Sequence, residues 1–167
     1  PPPPQGGGGI SCRPATPADA AALAAFAART FCETFAHLYP PEDLATYLAK
    51  SYGEPIQREE IADAEIGTLL AFNGAALIGY AQAGPVDLKI EHGARDRELY
   101  RLYVAADAKG AGVAHALMQQ VVDWTRQQGA GALWLSVWEN NERAQRFYRR
   151  YGFEHMGEHK FMVGKTA

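Results

Sequence analysis

The order of elements in this chain predicts a mixed α/β (α+β) fold, a central mixed sheet with helices on both faces. Three observations carry it. Helical spacing dominates residues 16–63, a hairpin signal and a long strand come next, and strand and helix then alternate toward the end.

Ile10–Arg13 reads as a short strand. Thr16-Pro17-Ala18-Asp19 offers an N-cap, a proline at the first helical position and an acidic first turn, so a helix opens there with Leu23, Phe26 and Ala27 inside. A second helix begins near Pro41, with Glu42 and Asp43 in its first turn. Leu44, Tyr47, Leu48 and Ser51 follow at helical spacing, and Gly53 stops it. A shorter helical piece spans Pro55–Asp63. Thr68–Phe72 and Ala76–Ala83 form a hairpin around Asn73-Gly74, the dipeptide that favours a type I′ turn. A long strand covers Arg97–Val104. Val113, Ala116, Leu117, Gln120, Val121 and Trp124 then trace one face of a helix that ends at Gly129. Ala132–Val137 is a continuous apolar strand. Asn140 or Asn141 caps a further helix whose inner face is Ala144, Phe147, Tyr148 and Tyr151, with Gly152 as its stop. Phe153–Gly157 and His159–Val163 close the chain as one long or two short strands.

With 167 residues, 47% of them hydrophobic and including eight Tyr and seven Phe, the chain reads as one globular domain over residues 10–167. Pro1–Gly9 is low-complexity and reads as a tail, a linker or an expression remnant. A net charge of −3 gives no electrostatic case for nucleic acid or an anionic membrane, and mildly favours cationic substrates. Cys12 and Cys32 are too few and too far apart for a disulfide framework or a zinc site, so a reducing cytoplasm is expected. No apolar run approaches the ~20 residues of a membrane span, and no signal peptide is visible.

The segment Lys109-Gly110-Ala111-Gly112-Val113-Ala114 lies between the long strand and a helix. Strand, glycine turn and helix start gather free backbone N–H groups around one point, and the helix dipole adds positive charge there. The turn therefore suits a phosphate or pyrophosphate. A nicotinamide-type fingerprint fits poorly, because His115 stands where its third glycine belongs and the turn does not follow the first strand. A P-loop is excluded, since no Gly-Lys-Ser/Thr follows.

A second element narrows the reading: Asn141, Ala144 and Tyr148 at Asn-x-x-Ala-x-x-x-Tyr spacing, followed by Gly152-Phe153. Together with the glycine turn it resembles the GNAT superfamily of acetyl-CoA-dependent N-acetyltransferases. That family's cofactor signature is Gln/Arg-x-x-Gly-x-Gly/Ala, and here Lys109 replaces the usual Gln or Arg. Phe31-x-x-Thr34-Phe35, Pro41-Glu42-Asp43-Leu44, Tyr47-Leu48, Leu135-x-Val137-Trp138-Glu139 and Gly157-Glu158-His159-x-Phe161 narrow the resemblance to the PaiA-type polyamine acetyltransferases. The resemblance implies a mostly antiparallel sheet of six to seven strands, splayed between strands 4 and 5 at a bulge.

The same resemblance implies the site. Lys109, Gly110, Ala111, Gly112, Val113 and Ala114 hold the pyrophosphate. The backbone of Leu102, Tyr103 and Val104 holds pantetheine and the acyl oxygen, Asn141 bonds the pantetheine arm, and Tyr148 protonates the departing thiolate. Glu98, eleven residues before Lys109, matches the offset of a catalytic glutamate in relatives such as the histone acetyltransferases. It is the leading base, with an exposed or ion-paired role near Arg97 or Arg101 as the alternative. Glu33 is the second candidate, against a plain solvated helix face. Asn141 is equally explained as a helix cap.

Other residues take plainer roles. His155 and His159 make no metal pair in a strand, and no Cys or carboxylate cluster supports one, so no metal is expected. Trp124, Trp134 and Trp138 read as core or cleft wall. Arg143, Arg146, Arg149 and Arg150 mostly line an outer helix face, with a contact from one of them to the adenosine 3′-phosphate of the cofactor as the alternative. Phe31, Phe35, Tyr39 and Tyr47 read as core or as the lining of an acceptor cleft. The expected activity is direct transfer, in a ternary complex, of an acetyl group from acetyl-CoA to a small cationic amine of the polyamine type. Alternative acceptors are protein N-termini, lysines and amine-bearing antibiotics, and a non-catalytic acetyl-CoA-binding regulatory domain is the alternative class. Expected partners are acetyl-CoA and the amine, with no nucleic acid or membrane, and relatives often pair as homodimers.

Overall fold

The computed structural model describes residues 9–137, 140–156 and 161–165, the last stretch and Thr34 as backbone only. The tail over residues 1–8, the strand end at Trp138 and Glu139, and the Gly157-Glu158-His159 motif lie outside the described residues.

Among the described residues, seven strands and five α-helices follow in the order β1 (Ile10–Pro14), α1 (Ala20–Phe35), α2 (Pro41–Tyr52), α3 (Glu54–Ala62), β2 (Gly67–Asn73), β3 (Ala76–Pro85), β4 (Arg97–Val104), α4 (Val113–Gln127), β5 (Ala132–Ser136), α5 (Glu142–Arg149), β6 (Glu154–His155) and β7 (Phe161–Lys165). The strands form one sheet, ordered β1-β2-β3-β4-β5-β7-β6, and every neighbouring pair is antiparallel except β4–β5.

Local chemistry accounts for most boundaries, and for a few corrections. Pro17–Asp19 forms a short 3-10 turn rather than the first turn of the helix, and α1 starts at Ala20. Asp19 turns back to accept the Thr16 N–H at 2.7 Å and the Thr16 hydroxyl at 3.1 Å, which closes the entry to the helix. The hairpin turn sits one residue later than Asn73-Gly74 suggests. Asn73 still pairs with Ala76, and Gly74 and Ala75 form the loop, because Gly74 alone takes the positive φ of 63°. Asn141, not Asn140, caps α5, and that helix ends at Arg149, so Tyr151 lies beyond it.

Two cores flank the sheet. On one face Leu117, Met118 and Val121 of α4 are fully buried against Leu69, Ala81, Leu99, Leu133 and Leu135, with Phe147 and Tyr148 of α5 packed alongside. On the other face Leu23, Phe26 and Phe31 of α1 and Tyr52 of α2 cover Leu70 and Tyr80. Each such buried side chain contributes about 1.5–3 kcal/mol of transfer free energy. The chain's helix periods therefore place α4 and α1 on opposite faces, and β4 between them carries side chains toward both.

Candidate active site

β4 departs from regularity where the resemblance places the splay. Against β3, Gln82 faces Arg101 and Ala83 faces Leu99, so Tyr100 is an extra residue, a bulge. Against β5, the parallel ladder contains only Arg97 opposite Leu133 and Glu98 opposite Trp134. Beyond Glu98, residues 99–104 pair with β3 alone, and β4 and β5 diverge. A gap lined by one strand's unpaired backbone groups must be filled by water or by a ligand with amides of its own.

At the open end of that gap the chain turns through Gly110 and Gly112, with φ of 88° and 84°. Side-chain-bearing residues avoid this conformation, so glycine is required at both. A Cβ added at either position would meet nothing within 4 Å, so the turn opens onto free space. Ala111 donates to the Ala108 carbonyl only at 3.4 Å and Lys109 to Ala106 at 3.5 Å, while Ala116 closes the first helical bond on Gly112 at 3.0 Å. Among the described residues, the N–H groups of Gly110, Gly112, Val113, Ala114 and His115 have no acceptor, and no side chain caps the helix. These amides and the α4 dipole fit a bound pyrophosphate. Lys109 is exposed beside them.

Tyr148 lies on α5 with its ring edge-on to Phe147 and Phe153, at centroid distances of 5.1 and 5.7 Å. Burial, and to a lesser degree the neighbouring Tyr103 phenol, push its pKa up to about 12. It remains a proton donor throughout the neutral range. The Asn141 side-chain oxygen accepts the Ala144 N–H at 3.0 Å, so the cap role is realised.

Glu98 is neither exposed nor ion-paired. It is buried where the β4–β5 ladder ends, and its Oε1 accepts the N–H groups of Asp87 at 2.7 Å and Leu88 at 3.1 Å. Burial raises its pKa, while these two bonds oppose the shift. Arg97 and Arg101 have other partners: Arg97 pairs with Glu65 at 3.2 Å, and Arg101 reaches Gln82 at 3.3 Å and Glu60 at 4.0 Å. Glu33 is half-exposed and faces Arg29 one helical turn away at 3.7 Å. It takes the solvated-face role.

Two features have no counterpart in the motifs. Tyr103 does more than offer backbone. Its ring leans on Tyr80 at 5.7 Å and packs against the core that holds Tyr52, and its phenol is close enough to Tyr52 and Tyr148 to influence both. The signal available was register: Tyr80 and Tyr103 stand opposite one another on β3 and β4. His115 and Tyr151 also hydrogen-bond, which ties the head of α4 to the end of α5. Nothing in the sequence marks that pair.

Residues 29–153 match the acetyltransferase (GNAT) family. A protein of Mycobacterium tuberculosis described as an uncharacterized N-acetyltransferase is 35% identical over 146 residues, covering 87% of this chain and 90% of that protein. The streptothricin acetyltransferase of Streptomyces lavendulae is 43% identical over 64 residues, covering 38% of this chain and 34% of that protein. Among solved structures, the PaiA N-acetyltransferase of Thermoplasma acidophilum in complex with coenzyme A superposes with a TM-score of 0.76 at 22% identity, covering 94% of this chain and 99% of that one. No described helix is long and apolar enough to cross a membrane. The chain belongs to the acetyltransferase (GNAT) family, N-acetyltransferases whose acyl donor is acetyl-CoA.

Proposed function

We propose that this enzyme acetylates a primary amine by direct transfer in a ternary complex, with a small cationic amine of the polyamine type as acceptor. The observation that carries the proposal is the pairing of two vacancies in backbone hydrogen bonding. One is the strand gap that opens at Glu98, and the other is the set of acceptorless amides at the head of α4. A long donor with amides in its arm and a diphosphate at its far end matches both.

Acetyl-CoA supplies the thioester. Gly110 to Ala114 bind its diphosphate, with Lys109 beside them, and Leu102 to Val104 engage the arm and orient the acyl oxygen toward strand amides. Asn141 orders the start of α5 through its side-chain oxygen, which leaves its amide N–H₂ to donate to the same arm. An alkyl ammonium with a pKa near ~10.4 must lose a proton before it can attack. Glu98, desolvated and therefore more basic than an ordinary carboxylate, accepts it directly or through water. Tyr148, held protonated by burial, gives its proton to the departing sulfur. The free thiols of Cys12 and Cys32 agree with work in a reducing cytoplasm.

The polyamine assignment draws on the PaiA-like motifs and the negative net charge. The test is thiol release from acetyl-CoA across a panel of diamines, monoamines, an N-terminal peptide, a lysine peptide and streptothricin, the last included because of the Streptomyces relative. Fastest release with a diamine supports the proposal. Fastest release with a peptide or the antibiotic replaces the acceptor, and cofactor binding without any amine-dependent release replaces the enzyme by a binding domain.

A further inference from the structure

Five aromatic rings gather at the corner where α1 passes into α2. Phe31 lies at the centre, with ring centroids 4.8 Å from Phe35, 6.0 Å from Tyr39, 5.0 Å from Tyr47 and 5.7 Å from Tyr52. A core cluster would close over itself, and this one does not. Tyr39 and Tyr47 are each 40% exposed, and their rings lie parallel within 10° at 6.2 Å. The inner end of the cluster reaches β4, since Tyr52 and Tyr80 share one core against which Tyr103 packs, and Tyr103 lies on the β4 stretch that pairs with β3 alone. A set of rings thus runs from solvent to the β4 strand beside the gap.

The cluster already seats one cation. The Arg101 guanidinium lies over the Tyr52 ring at 4.6 Å. At the outer end, Asp43 stands one helical turn before Tyr47 on the same face of α2, with Glu42 beside it. Among the described residues neither carboxylate has an ion-pair partner. Exposed π faces next to unpaired carboxylates attract an ammonium carried on an aliphatic chain.

We infer that Tyr39 and Tyr47, aided by Asp43, bind the second, non-reacting ammonium of a di- or polycationic acceptor while its first amine lies at the β4–β5 gap. The inference deepens the proposed function and rests on it. It assigns specificity to side chains that hold the far end of the substrate and take no part in proton transfer.

The test compares n-pentylamine with cadaverine, which differ only in the distal amine. The expected KM for cadaverine is about threefold to fivefold lower in the native enzyme. Tyr39→Leu and Tyr47→Leu, which keep apolar bulk but lose the π face, bring the ratio toward one, and Tyr47→Phe retains it. A native ratio near one, or Leu variants that keep the preference, overturns the inference. A second measurement separates it from the enzyme reading. A bis-trimethylammonium alkane, which has no N–H to acetylate, is titrated against tyrosine fluorescence. Binding that weakens at least threefold in Tyr47→Leu supports the corner even if no amine is acetylated, and equal binding in both proteins refutes it.

Discussion

The proposed donor and acceptor sides of the cleft are made of different material. The donor side is backbone: a strand gap, two glycines in a left-handed conformation and the bare amides of a helix start. The acceptor side is side chain: the rings of Phe31, Tyr39, Tyr47 and Tyr52 and the polar set of Arg101, Gln82 and Glu60. Backbone recognition tolerates change at most positions and reads a ligand common to a whole family. Side-chain recognition changes with one substitution, so acceptor choice is expected to be set on this wall.

Tyr148 is the proposed proton donor, and its removal sharpens the contrast most. Tyr148→Phe is expected to lower kcat about 100-fold to 1,000-fold with little change in either substrate's KM. The loss falls on a step that neither wall performs. Because burial holds the phenol protonated up to about 12, the native enzyme shows no alkaline limb from this group across the neutral range. Steady-state kinetics from pH 6 to 10 check both statements. An unchanged kcat removes Tyr148 from the chemistry.

Glu98→Gln comes next. Glutamine keeps a carbonyl oxygen for the Asp87 and Leu88 N–H groups, so the loop stays anchored while the base is lost. A kcat loss of about tenfold to 100-fold is expected, smaller than for Tyr148 because water also accepts protons. The native acid limb is expected to be shifted upward from that of a solvated carboxylate, since burial raises this pKa, and to disappear in the variant. The stability sign follows from the same shift. A carboxyl whose folded pKa is raised binds its proton more tightly when folded, so it costs stability as pH rises from the ordinary carboxylate value through the raised one. Glu98→Gln lacks that slope in pH-dependent melting. If kcat is unaffected, Glu98 is an anchor for residues 87–88 only.

Gly112→Ala tests the donor side alone. The added Cβ meets no atom, so the cost is conformational, about 1–2 kcal/mol at a φ of 84°. If that cost is relieved by rotating the amides away, the Kd of coenzyme A rises about fivefold to tenfold by calorimetry. The preference between cadaverine and n-pentylamine should stay where it was. A change in that preference would show that the two sides are not independent.

The same division explains what was legible in the sequence. Gly110 and Gly112 are conspicuous because only glycine takes their backbone angles readily, and Asn141 because a cap needs a short polar side chain. Strand and helix periods located every main element, and the β4–β5 splay came with the family motifs. The family resemblance implied a bulge, but its position at Tyr100 left no mark, since a one-residue insertion in a pairing depends on both strands. The fate of Glu98 was equally hidden, because the amides it accepts belong to a loop without a pattern of its own. Phe31 and Tyr47 at helical spacing look like core residues. Only the packing of α1 on α2 shows one ring buried and the other open to solvent.

The smallest expected effect belongs to the acceptor side's support. Asp19 accepts two bonds from Arg13, at 2.8 and 2.9 Å, and two from Thr16, and so fixes the start of the helix that carries Phe31. These partners, Arg13 first, hold its carboxyl well below the usual range. A depressed pKa gives stability that is present above the unfolded value and lost as pH falls through the folded one. Asp19→Asn keeps the shape and loses the charge. It should cost about 1 kcal/mol at neutral pH, a fall of about 2–4 °C in Tm, and the gap to the native protein should narrow in acid. Neither proton-transfer group is touched, so kcat should hold, and any change should appear in the acceptor KM, because α1 backs the aromatic corner and makes no part of the glycine turn. A rise in the coenzyme A Kd instead would mean that strain at this cap crosses the sheet, and that the backbone side depends on side-chain packing more than its geometry implies.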